Sequence, residues 1–154
     1  MSVADSLIDR FVAACGTHCK PYILIEPINE FPESWDEDGL RVYVNGKLHE
    51  IGCVEVNWKV ISYKEMYRQL RHMLTVSLVG ECPPFFMSSE ETVNCFIEDF
   101  LSLVDGGCYL SNARFVNENI EHSNVFKRDD RFSDLAIVWI SAERLAVIAH
   151  RGFD

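Results

Sequence analysis

The sequence predicts an α+β fold, a mainly antiparallel sheet with an N-terminal helix and a central pair of helices packed on it. Three observations carry the prediction. Apolar residues recur at the spacing of one helical face near residues 3–15, 63–74 and 93–104. Short β-branched and aromatic runs, bounded by Gly, Pro and Asn, occupy the stretches around them. These runs come in groups separated by the paired helices and do not alternate with single helices, which favours antiparallel pairing over βαβ units.

The elements follow in order. Ser2 can cap a first helix carrying Val3, Leu7, Ile8, Phe11, Val12 and Cys15 on one face, with Asp5 in its first turn and Gly16 as its stop. Tyr22 to Ile25 reads as a strand after Pro21. Glu26 to Gly39 holds Pro27 and Pro32 without a regular period and reads as a surface loop. Arg41 to Val44, Asn45-Gly46 and Lys47 to Ile51 carry the signal of a hairpin with a type I′ turn, because Asn-Gly tolerates the positive φ that turn demands. Val54, Val56, Trp58 and Val60 alternate with polar residues and predict a further half-buried strand, or an extension of the hairpin past a bulge at Gly52. Ser62 with Glu65 forms a capping box for a helix bearing Tyr63, Met66, Tyr67, Leu70, Met73 and Leu74 and ending near Gly80, with Lys64, Arg68 and Arg71 outward. Beyond Cys82-Pro83-Pro84, Ser88 and Glu91 form a second box for a helix bearing Val93, Phe96, Ile97, Phe100, Leu101 and Val104, stopped by Gly106 and Gly107. Cys108 to Val116 predicts one strand and Asn117 to Asn124 a polar loop. Leu135 to Ile140, apolar throughout, predicts a central strand that turns at Ser141 to Arg144 into a hairpin partner, Leu145 to Ala149.

A chain of 154 residues suits one globular domain spanning residues 1–154, and a domain of that size hides about 70% of its unfolded surface, so neither a disulfide nor a metal is needed for stability. Residues 1–10 place Asp5, Asp9 and Arg10 inside an amphipathic pattern, unlike a secretory signal, and no apolar run approaches the ~20 residues that cross a bilayer. A cytoplasmic protein is expected, its six cysteines mostly reduced thiols. With 14 basic and 24 acidic residues the formal charge is −10. Such a surface repels nucleic acid and anionic membranes, so neither is an expected partner, and a basic protein is the better fit.

The densest chemical feature lies between Glu26 and Asp38, where six acids accompany Phe31 and Trp35 without a single base. Aromatic anchors beside carboxylates suit a protein-binding hot spot, and Glu30, Phe31, Glu33, Trp35, Asp36, Glu37 and Asp38 are the expected partner-binding residues. Elsewhere the signals are thinner. Cys15, His18 and Cys19 place two thiols and an imidazole within five positions, yet a zinc site needs a second ligand pair, so no metal and no cofactor are expected. Cys82 or Cys108 with a histidine would make a nucleophilic dyad only if the fold joined them, and no nucleophile elbow or phosphate loop is present, so no catalytic residue is assigned. Glu90, Glu91, Glu98, Asp99 and Asp105 give the last helix an acidic outer side.

In size, acidity and absence of a catalytic motif the chain resembles bacterial immunity proteins, inhibitors that neutralise a co-encoded toxin. A monomer or weak dimer is expected from a core of adequate size, and the resemblance implies an acidic surface, with Glu33, Trp35, Asp36, Glu37 and Asp38 foremost, that meets a basic nuclease toxin domain and blocks its active site or substrate surface. A phage anti-defence protein mimicking nucleic acid would use the same surface. An enzyme with an unfamiliar site would instead need a pocket of convergent polar groups.

Overall fold

The computed structural model describes residues 5–7, 9–10, 19–75, 90–104, 107–117, 119–122, 125 and 132–153. In chain order its elements are β1 (Cys19–Pro27), α1 (Glu37–His49), β2 (Lys59–Ile61), α2 (Tyr63–Thr75), α3 (Glu90–Leu103), β3 (Cys108–Ser111), β4 (Ala113–Val116), β5 (Asn119–His122), β6 (Phe132–Ile140) and β7 (Arg144–Phe153). Residues 5–7 and 9–10 are helical. The rest of the expected first helix, Gly80, Cys82-Pro83-Pro84, Ser88, Asp105 and Gly106 lie outside the described residues. The architecture is α+β: five strands pair antiparallel in the order β1-β7-β6-β3-β2, and β4 and β5 form a separate two-stranded ribbon.

The apolar stretch of β6 puts that strand in the middle of the sheet, as its sequence predicts, because side chains alternate faces and both faces are covered. Leu135, Ile137 and Trp139 point to one side, where Met66, Leu70, Met73 and Leu74 of α2, Phe96, Ile97 and Phe100 of α3, and Leu7 meet them. Ala136, Val138 and Ile140 point to the other, against Leu40, Val44 and Leu48 of α1 together with Val56 and Trp58. The register sets Trp139 opposite Ala146, so a small residue leaves room for a large neighbour, and the indole meets the Phe100 ring edge-on at 4.8 Å. Ser62 caps α2 as expected, its Oγ accepting from Glu65 N at 3.1 Å. Gly107, at φ +85°, ends the α3 connection against β6, where a Cβ would stand 2.2 Å from Ile140 O.

The expected loop from Glu26 to Gly39 is shorter than its sequence suggests, since β1 runs to Pro27 and α1 begins at Glu37. Three further expectations are corrected. The segment read as a hairpin about Asn45-Gly46 is the helix α1, and the segment from Val54 to Trp58 is not a strand but irregular chain that enters β2 only at Lys59. One residue explains both. Asn45 Nδ2 donates to Val56 O at 2.9 Å, while its Oδ1 accepts from Val56 N and from Trp58 Nε1, each at 3.0 Å, so a helical side chain takes the place of a neighbouring strand. The third correction is that Cys108 to Val116 is two strands in two sheets, and the loop after it contains β5. The chain leaves the main sheet at Asn112, whose Oδ1 accepts from Ala136 N at 2.9 Å in place of a backbone carbonyl. Behind this exit the fully buried Gln69 donates to Ala113 O at 3.0 Å and accepts from the Ser111 hydroxyl, which itself accepts from Ala113 N at 3.0 Å.

Candidate functional site

The segment from Ile28 to Asp36 joins β1 to α1 and is tied down along its length. Ile28 N donates to Glu143 O at 3.0 Å, the Tyr43 hydroxyl donates to Glu30 O at 2.8 Å, and Pro32 is buried. At the far end Asp36 is the N-cap of α1. Its Oδ1 accepts from Gly39 N and from the Ser34 hydroxyl, each at 2.8 Å, and these two bonds, the backbone one first, hold its carboxyl below the usual aspartate range. Ser34 presses so closely on the first turn that a Cβ on Gly39 would stand 2.0 Å from its Oγ. Tyr43, on α1, is shifted above the ordinary tyrosine value by burial, against the pull of Lys47, with Glu26 and Glu30 adding to the rise.

This anchoring leaves two aromatic rings outward. Phe31 is 61% exposed and Trp35 42%, and Val42 on the outer side of α1 is 74% exposed. Glu30, Glu33 and Asp38 are exposed around them. A groove of about 260 Å³ at the base of the loop is lined by Glu26, Ile28, Tyr43 and Lys47 among others.

The seven expected site residues therefore share one stretch of surface and divide by role. Glu30, Phe31, Glu33 and Trp35 face solvent, whereas Asp36 serves α1 as a cap. Glu37 accepts from Val60 N at 3.0 Å, from Arg41 at 3.2 Å and lies 3.8 Å from Lys59, so it ties α1 to β2. Asp38 pairs with Arg41 at 2.9 Å from a side chain that is 87% exposed. Sequence reasoning missed Tyr43 and Gly39 as the residues that seat the loop, and the signal for them was the cap itself, Ser-x-Asp followed by two acids.

Other groups are placed as follows. The acidic outer side of α3 is partly answered by arginines, Asp99 by Arg10 at 2.8 Å and Glu90 by Arg71, and the basic side of α2 is also engaged, since Arg68 lies 3.7 Å above the Phe115 ring. Cys15 and His18 lie outside the described residues, and among those described no three His, Cys, Asp or Glu side chains gather as a metal would require. Cys53 is buried, Cys108 half-buried and Cys95 exposed, and none of the three is in a disulfide. A cavity of about 280 Å³ between the end of α3 and the β6–β7 turn is lined by Ser102, Trp139, Glu143 and Arg144 among others, and the buried Trp139 Nε1 finds no acceptor among the described residues. No described helix is long and apolar enough to cross a membrane. Comparison with known proteins finds no family model, no curated protein and no solved structure that matches the chain.

Proposed function

We propose that the chain is a protein-binding inhibitor, an immunity protein that neutralises a basic toxin, and that residues 28–36 with the outward side of α1 make the contact. The observation that carries this reading is the exposure of Phe31 and Trp35 on a backbone fixed at Ile28, Glu30, Pro32 and Asp36. Apolar rings cost free energy in water, and holding them rigidly spares the ordering entropy that association otherwise loses. The net charge of −10 supplies the long-range attraction toward a basic partner, and Glu30, Glu33 and Asp38 form the acidic rim of the aromatic centre. Asp36 and Glu37 contribute by shaping the loop, since their carboxylates are spent on α1 and β2.

The test is co-expression with the product of the adjacent gene. The intact chain is expected to relieve that product's toxicity and to co-purify with it, and a paired Phe31→Ala, Trp35→Ala variant to do neither while keeping its circular dichroism. Full protection by the folded variant would remove this surface from the reading.

A further inference from the structure

The direction of the hydrogen bonds along β1 decides what its outer edge offers. Ile28 N donates to Glu143 O, continuing the ladder in which Pro27 faces Arg144. Backbone groups reverse direction at each residue of a strand, so even-numbered residues from Lys20 to Ile28 turn their N–H and C=O toward β7 and odd-numbered ones turn theirs outward. Pro21 and Pro27 are both odd. Proline has no N–H, and between these two only Ile23 and Ile25 present a donor to the outside.

At the opposite end of the sheet β2 is three residues long. Lys59 and Ile61 flank Val60, whose N–H points away from β3 and is taken by Glu37 Oε2 at 3.0 Å. Arg41 and Lys59 hold that carboxylate in place.

An unprotected β1 would suit its own copy. The strand has nine residues, long for an edge. Antiparallel pairing about Ile23 would set Lys20 opposite Glu26 and Tyr22 opposite Leu24, a register favourable in charge and in side-chain size. In that register Pro21 stands opposite Ile25 and Pro27 opposite Cys19, and each proline leaves a carbonyl of the other copy without its donor. The two-fold symmetry repeats every loss.

We propose that both ends of the sheet are closed to strand addition, β1 against a second copy of this chain by Pro21 and Pro27, and β2 by the Glu37 carboxylate. Partners then meet the molecule through side chains and not through its sheet edges. The proposal stands on the ladder geometry and is independent of whether residues 28–36 bind a toxin.

Two measurements test it. Amide hydrogen exchange on the unaltered protein should be fast at Ile23 and Ile25 and slow at Leu24 between them, with Val60 becoming faster by about tenfold or more in Glu37→Ala as its acceptor is lost. Light scattering on a Pro21→Thr, Pro27→Thr variant should show self-association at least about tenfold tighter than that of the parent, with Ile23 and Ile25 newly protected. A folded variant that stays as monomeric as the parent overturns the proposal for β1, as does slow exchange at Ile23 or Ile25 in the parent. Unchanged exchange at Val60 overturns it for β2. If the double variant does not fold, the exchange pattern of the parent decides the matter for β1.

Discussion

Replacing Asn45 by alanine is expected to destabilise the protein by about 3–4 kcal/mol. Its amide makes three bonds, to Val56 O, Val56 N and Trp58 Nε1, and Val56 and Trp58 are both buried. A buried polar group left without its partner costs about 1–3 kcal/mol, so three such groups would sum higher if none could recover. The lower figure follows because these bonds are only partly buried and water can replace some of what is lost. Against the usual 5–15 kcal/mol of a domain the variant should still fold, with a urea midpoint lowered by about 1–2 M. The neighbouring residue supplies the control. Gly46 lies inside α1, outside the positive-φ region, and a Cβ there would meet nothing within 4 Å. Gly46→Ala should therefore stabilise by about 0.5–1 kcal/mol, the helix-propensity difference. In a type I′ turn Gly46→Ala would instead destabilise, since alanine at a positive-φ position is strained, and Asn45→Ala would cost only the local turn. Urea unfolding of both variants is the assay. A loss below about 1 kcal/mol for Asn45→Ala, or any destabilisation by Gly46→Ala, would refute the reasoning.

Three further outcomes are expected. Gly39→Ala should cost about 1–3 kcal/mol by forcing Ser34 off the first turn of α1, and it should weaken partner binding although residue 39 carries no side chain to lose; thermal unfolding and binding measured together check this. Gln69→Leu should cost about 2–3 kcal/mol by stranding Ala113 O and the Ser111 hydroxyl, with faster amide exchange in β3 and β4 as its mark. Because the folded state holds the Asp36 carboxyl below its unfolded value near 3.9, the ionised group stabilises the fold above that pH, and the contribution disappears as pH falls through the lower, folded value. Asp36→Asn keeps a capping oxygen but no charge, so the stability gap between parent and variant should close below about pH 4, measured by urea unfolding across the acid range.

What was legible in the sequence was governed by local pattern. The run from Leu135 to Ile140 is apolar because both faces of β6 are covered, and the helices after Ser62 and Glu90 show their buried faces in their spacing. The helix α1 was hidden because its buried stripe is only Leu40, Val44 and Leu48, while Asn45-Gly46 in its middle imitates a turn. That asparagine is kept for bonds to residues eleven and thirteen positions away, which no local pattern reports. The break at Asn112 is similarly a matter of one side chain meeting a distant backbone amide. At the site, aromatic rings among acids could be read from composition, but separating Glu37, which holds the sheet edge, from Glu30 and Glu33, which face solvent, needed the neighbours that the fold brings up.

The central claim is that Phe31 and Trp35 form the binding surface, and the kinetics of association with the adjacent gene's product test it most directly. Trp35→Ala is expected to raise the dissociation rate, with a loss of about 2 kcal/mol or roughly 30-fold in Kd, while leaving association nearly unchanged. A combined Glu30→Gln, Glu33→Gln, Asp38→Asn variant should slow association and flatten its dependence on salt, with dissociation little altered. Unchanged rates in both variants, with circular dichroism matching the parent, would contradict the claim.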